Sequence, residues 1–186
     1  MSLPEVLQSI EAALDQAGIA YMLTGSFASA YYGVPRSTQD IDLVIAGTAM
    51  QLRKFVESLP VSKYYADAEA AIEAHQRESM FNVVDLESGW KIDMIIRKSR
   101  AFSQEEFSRR NRVNMQGTTL FVASAEDVII AKLEWAKRAQ SQRQIEDAAG
   151  IMKVQGQSLD RSYFEKWIHD LDLREQWIAA QGIAEK

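Results

Sequence analysis

The stretch MLTGSFASAYYGVPRSTQDIDLVI, residues 22–45, joins an apolar run, a Gly-Ser pair, a small helix-forming patch and an Asp-x-Asp pair. Side chains alternate along a strand, so Asp40 and Asp42 point to one face and the apolar residues between and after them to the other. Two carboxylates side by side in an apolar strand are costly unless a cation lies between them. The spacing therefore predicts a cation site at the start of a strand. Mg²⁺ fits it, because this ion binds one or two carboxylates together with phosphate oxygens.

On its own, the Asp-x-Asp pair has another interpretation, in which Asp40 is a turn or cap residue and Asp42 is a solvated residue of an edge strand. A second acidic strand favours the metal interpretation. In WKIDMIIRK, residues 90–98, Asp93 shares a face with Lys91, and apolar residues occupy the opposite face. If the two strands are neighbours, three carboxylates meet at one place, which is enough for two cations about 4 Å apart.

The Gly25-Ser26 pair lies between a predicted strand, Ala20–Thr24, and a predicted helix start, Phe27–Tyr32. Free backbone N–H groups and the helix dipole favour a phosphate at such a position. Glycine allows a close backbone approach, and serine offers a hydroxyl donor. Most Gly-Ser pairs are plain turns, so this pair supports a phosphate site only in combination with the acidic strands.

Composition and charge limit the functional classes. The chain has 186 residues, 47% of them hydrophobic and 25% charged, which is the composition of an ordinary globular protein. The formal net charge of −5 argues against general coating of nucleic acid but allows a local basic groove. No cysteine is present, so disulfides and thiolate metal sites are excluded. The sequence has no apolar run of spanning length and its first residues do not resemble a signal peptide, so we expect a cytoplasmic protein without membrane contact.

Turn signals and apolar periodicity predict an α+β protein with a mixed sheet flanked by helices and a helical C-terminal third. The expected organisation is a core over residues 1–123 and a helical region over 124–186 packed on it. Ser2 and Glu5 predict a capping box for the first helix. The remaining predicted elements are a strand over 40–46, a helix over 48–59, a helix over 66–78, a hairpin turning at 87–89, a basic helix over 105–112, a strand near 117–124, and three helices from Ser124, of which the last covers 160 to about 183.

The order Gly-Ser, Asp-x-Asp in an apolar strand, and a later strand Asp resembles the DNA-polymerase-beta-like nucleotidyltransferase superfamily. The match runs from Thr24 to Ile95. The segment PRSTQDIDLVI is also similar to small bacterial nucleotidyltransferases of the AbiEii-toxin-like or minimal group, which are related to toxin–antitoxin systems. A similar segment occurs in antibiotic-modifying members of the superfamily.

The resemblance implies the fold of these enzymes and transfer of a nucleotide monophosphate from an NTP to an acceptor hydroxyl. It implies that Asp40, Asp42 and Asp93 bind two Mg²⁺ ions, with Mn²⁺ as a substitute. It also implies that Gly25 and Ser26 hold the β- and γ-phosphates. The acceptor stays open: an RNA or tRNA, a protein or a small molecule. A homodimer and a cognate protein partner also stay open.

Two further cations are candidates for nucleotide binding. Arg36 precedes the acidic strand by four residues, and the alternative is a solvated loop arginine. Lys132 lies in an apolar stretch, where lysines of several relatives lean toward the triphosphate, and the alternative is a side chain that snorkels to the surface. Arg143 and Asp147, four residues apart, predict an ion pair on one helix face. The alternative is a contact to the core, because a similar helical Arg/Asp pattern recurs in relatives.

Three interpretations of function differ in class. The first is a Mg²⁺-dependent nucleotidyltransferase, which the presence of all three acids favours. The second is a catalytically inactive relative that binds a nucleotide or a partner. The third is an unrelated metal phosphohydrolase. Such an enzyme should contain clusters of histidine and aspartate, whereas this sequence has only two scattered histidines. A basic stretch over residues 97–112 could steer an NTP or an RNA acceptor, and the alternative is an ordinary basic surface.

Overall fold

The computed structural model describes residues 3–115 and 117–185. The described residues form two compact units. The first contains the residues up to Thr24 together with Thr38–Val122, and the second contains Gly25–Ser37 together with the residues from Ala123 onward. The predicted boundary after residue 123 stays a prediction. Ser2, the expected cap, lies outside the described residues. Among the helices of the described part, none is both long and apolar enough to cross a membrane.

The first unit is a mixed sheet with helices. Its seven described strands lie in the spatial order β3-β4-β5-β2-β1-β7-β6. The strands are β1 (Ala20–Thr24), β2 (Asp40–Ala46), β3 (Tyr64–Ala66), β4 (Met80–Asp85), β5 (Lys91–Ile96), β6 (Asn111–Met115) and β7 (Thr118–Val122). Its helices are α1 (Leu3–Ala17), α3 (Ala49–Ser58), α4 (Ala68–Gln76) and α5 (Ala101–Ser108).

The register of the central strands follows from their apolar alternation. β2 pairs antiparallel with β1 and parallel with β5. The side chains of Ile41 and Leu43 on β2 and of Ile92 and Met94 on β5 are at most 2% exposed, so this face of both strands belongs to the core. A shift by one residue would turn the apolar set to the other face, so burial specifies this register strongly.

The second unit is helical. It contains α2 (Gly25–Tyr32), α6 (Ala125–Ala139), α7 (Gln142–Gln155), α8 (Arg161–Asp170) and α9 (Arg174–Ala184), with a short 3₁₀ turn at Gly156–Ser158. Ser124 caps α6, because its side chain accepts the backbone N–H of Asp127. The α+β architecture with a helical C-terminal part is therefore confirmed.

Three element predictions were wrong or incomplete. The short β3 lies where no strand was expected, and the basic segment is α5 followed by strand β6 rather than one helix over 105–112. β6 owes its conformation to antiparallel pairing with β7, which a local pattern does not reveal. The expected helix from residue 160 to 183 is two helices, because Asp172 adopts a positive φ of 53° between them.

Candidate active site

Strands β2 and β5 bring two of the predicted acids together in the first unit. Asp42 and Asp93 are register partners on these neighbouring parallel strands. Asp40 stands two residues earlier, at the exposed start of β2, and its register partner is Lys91. All three carboxylates therefore belong to one face of the two strands, opposite the core.

Two polar neighbours hold the Asp93 side chain. The Lys91 ammonium lies 2.8 Å from Asp93 Oδ1 and donates a hydrogen bond of 3.2 Å to Oδ2. Asn82 on β4 donates its amide Nδ2 to Asp93 Oδ1 at 2.5 Å, since Asn82 and Asp93 are register partners. The hydrogen bond to Asp93 raises the pKa of Lys91, and the nearby charges of Asp93, Asp40 and Asp42 add to this rise although partial burial opposes it.

The chemistry of this face fits a hard cation. Asp40, Asp42 and Asp93 present carboxylate oxygens, the ligand type that Mg²⁺ prefers. The Lys91 ammonium already places one positive charge beside them. Within the described ranges, however, no group of three or more His, Cys, Asp or Glu side chains is gathered into a ready set of metal ligands. Sequence reasoning assigned no role to Lys91 or Asn82, although Lys91 lies on the same strand face as Asp93.

A second polar cluster lies in the helical unit and joins four side chains, which we call the Asp147 cluster: Ser26, Arg36, Lys132 and Asp147. Arg36 donates its Nε to Asp147 Oδ1 at 3.1 Å and its Nη2 to Oδ2 at 3.1 Å, a bidentate geometry. The same Nη2 donates to Ser26 Oγ at 2.6 Å. Lys132 donates its Nζ to Asp147 Oδ2 at 2.8 Å. Two sequence-predicted nucleotide-binding residues, Arg36 and Lys132, thus meet at one carboxylate, and a third, Ser26, joins them through Arg36.

Asp147 is the member that sequence reasoning did not include in the site. Its expected partner Arg143 is exposed, whereas Asp147 bonds Arg36 and Lys132, so the predicted helix-face ion pair was wrong. Burial alone would raise the pKa of Asp147, but the hydrogen bonds from Arg36 and Lys132 outweigh it and hold that pKa below the ordinary value. The side chain of Lys132 is only 5% exposed, which rules out snorkelling.

Gly25 begins α2 with a positive φ of 63°, a conformation that glycine adopts at little cost. It follows Thr24 directly, and Thr24 is the register partner of Asp42 across β1 and β2. The chain turns sharply from strand to helix after Thr24, and glycine at position 25 allows this turn. Ser26, the next residue, carries the hydroxyl that accepts from Arg36.

The predicted basic stretch is partly engaged with aromatic rings. The Arg110 guanidinium lies 4.2 Å from the centre of the Phe107 ring and 5.2 Å from that of Phe121. Arg97 lies 5.4 Å from the same Phe107 ring. Burial lowers the pKa of Arg110, and the charge of Arg97 lowers it further. Steering of an NTP or RNA by this stretch stays a prediction.

Comparison with solved structures places this fold among nucleotidyltransferases. A nucleotidyltransferase-like antigenic protein from Paracoccidioides brasiliensis matches with a TM-score of 0.59 and 16% identity, over 96% of this chain and 92% of that one. ANT(2")-Ia in complex with adenylyl-2"-tobramycin matches with a TM-score of 0.58 and 17% identity, over 95% and 99%. The lincosamide antibiotic adenylyltransferase LnuA, bound to lincomycin, matches with a TM-score of 0.56 and 12% identity, over 83% and 98%.

A search of curated protein sequences found no match. A family model does match, over residues 2–181, and its description is "Nucleotidyltransferase of unknown function (DUF6036)". The chain belongs to this family and is thus a nucleotidyltransferase. The resemblance inferred from Gly25-Ser26, Asp40, Asp42 and Asp93 is confirmed at the level of the superfamily.

Proposed function

We propose that this chain transfers a nucleotide monophosphate from an NTP to an acceptor hydroxyl in a Mg²⁺-dependent reaction. The observation that carries the proposal is the register pairing of Asp42 with Asp93 on neighbouring parallel strands, on the face to which Asp40 also belongs. Three like charges on one strand face cost free energy unless a cation offsets them. The Lys91 ammonium offsets part of this charge, and a divalent ion that accompanies the nucleotide would offset more of it.

Asp40 and Asp42 are the residues that would hold the divalent ion, and Asp93 is the third acid of the same face. When bound, the ion supplies charge neutralisation at the phosphates and lowers the pKa of an acceptor hydroxyl. Asp93 keeps a fixed orientation through Asn82 and Lys91.

Gly25, Ser26, Arg36 and Lys132 are the proposed phosphate-binding residues. Gly25 and Ser26 begin α2, where backbone N–H groups without helical partners and the helix dipole favour an anion. Arg36 and Lys132 bring two positive charges against the single carboxylate of Asp147, so the Asp147 cluster keeps one net positive charge. An arginine of this kind suits phosphate because its planar fork donates in two directions.

A screen of pyrophosphate release tests the proposal and seeks the acceptor. The four NTPs are each incubated with Mg²⁺ or Mn²⁺ and with tRNA, cell lysate, an aminoglycoside panel or a lincosamide panel. The antibiotic panels are included because the fold resembles ANT(2")-Ia and LnuA. We expect metal-dependent release with at least one acceptor and at least a 100-fold loss in Asp42→Asn.

The matched control is Asp15→Asn, an exposed carboxylate on α1, outside the acidic strands. It should release pyrophosphate like the unaltered chain, and both variants should keep the same far-UV circular dichroism. Full activity of Asp42→Asn would contradict the proposal. Thermal stabilisation by NTP and Mg²⁺ without any pyrophosphate release would instead support the inactive nucleotide-binding module.

A further inference from the structure

We propose that the Lys91 ammonium takes the place of one of the two divalent ions at the carboxylate face, so that the chain binds a single divalent ion with its NTP. This inference rests on the proposed function, because it concerns how the same three acids are neutralised. It assigns Lys91 as a resident cation and Asp93 as its partner rather than as a metal ligand.

The bonding of Asp93 is the first argument. Both of its oxygens contact the Lys91 ammonium, Oδ1 at 2.8 Å and Oδ2 at 3.2 Å, and Oδ1 also accepts from Asn82. The Asp93 side chain is only 13% exposed, so little of it is left for another ligand. A divalent ion on the same oxygens would meet a positive charge at close range.

The position of Lys91 in the sheet is the second argument. Lys91 lies two residues before Asp93 on β5, so the two side chains share a face. Its backbone is fixed on both sides, because Lys91 is the register partner of Asp40 on β2 and of Val84 on β4.

Equilibrium dialysis of Mn²⁺ in the presence of α,β-methylene-ATP measures the number of bound ions directly. The nucleotide analogue and Mn²⁺ pass the membrane, so the excess Mn²⁺ on the protein side is the amount bound per chain. We expect one ion per chain in the unaltered protein and two in Lys91→Met. Lys91→Arg keeps the positive charge and should bind one.

Lys54→Met is the matched control, an exposed lysine on α3 whose Nζ donates to the backbone carbonyl of Gln16. It should bind one ion. Two ions in the unaltered protein would overturn the inference and leave the proposed function standing. One ion in both the unaltered protein and Lys91→Met would overturn the role of Lys91. No bound ion, together with no pyrophosphate release in the screen, would overturn both proposals.

Discussion

Lys132 and Asp147 form a buried ion pair between helices α6 and α7, with Lys132 Nζ 2.8 Å from Asp147 Oδ2. Their side chains are 5% and 11% exposed. Arg36 adds a second cation to the same carboxylate. A carboxylate in such surroundings stays ionised only because its cations compensate for the lost hydration, so the helical unit depends on all three charges.

Replacing Lys132 should destabilise the protein more than replacing an exposed lysine of the same helix. Lys132→Met leaves Asp147 with Arg36 alone, and loss of one partner of a buried pair costs about 3 kcal/mol. Lys137→Met is the control, since Lys137 pairs with Asp172, whose side chain is 90% exposed, and its loss should cost much less. Urea unfolding of both variants measures the difference, and equal free energies of unfolding would contradict it.

Acid should remove the stabilisation that Asp147 provides. The pKa of Asp147 in the folded protein lies below its ordinary value of 3.8, so the unfolded chain binds this proton more readily. The contribution is complete above about pH 5 and is lost as the pH falls through the folded-state pKa. The free energy of unfolding should therefore differ between the unaltered protein and Asp147→Asn at pH 6, and the difference should shrink toward pH 3. A difference independent of pH would argue against this.

Two glycines of the second unit, Gly33 directly after α2 and Gly182 within α9, should respond in opposite ways to alanine. A Cβ at Gly33 would lie 2.9 Å from the backbone nitrogen of Ile151, so Gly33→Ala forces the end of α2 away from α7. A Cβ at Gly182 meets nothing within 4 Å, so Gly182→Ala should stabilise α9 by about 0.5–1 kcal/mol. Thermal unfolding should show a lower midpoint for Gly33→Ala and a higher one for Gly182→Ala. A midpoint unchanged by Gly33→Ala would show that the packing there tolerates a methyl group.

The acidic strands could be predicted from the sequence because strand alternation is a local property. Asp40 and Asp42 in one apolar run and Asp93 in another specify which face each carboxylate takes, whatever the rest of the chain does. The hairpin that precedes β5 was also recognisable from its turn residues. Strand β6 was missed, since its pairing with β7 and not its composition determines its conformation.

The sequence by itself determined the superfamily, the α+β class and the residues that carry negative charge on β2 and β5. The tertiary structure decided the partners that come from other elements. Asn82 reaches Asp93 through strand register, and Arg36 reaches Asp147 from 111 positions away. Contacts across such separations depend on how elements pack, and no periodicity within a single element encodes them. For this reason the sequence indicated Lys132 and Arg36 separately, and only the fold joined them at Asp147.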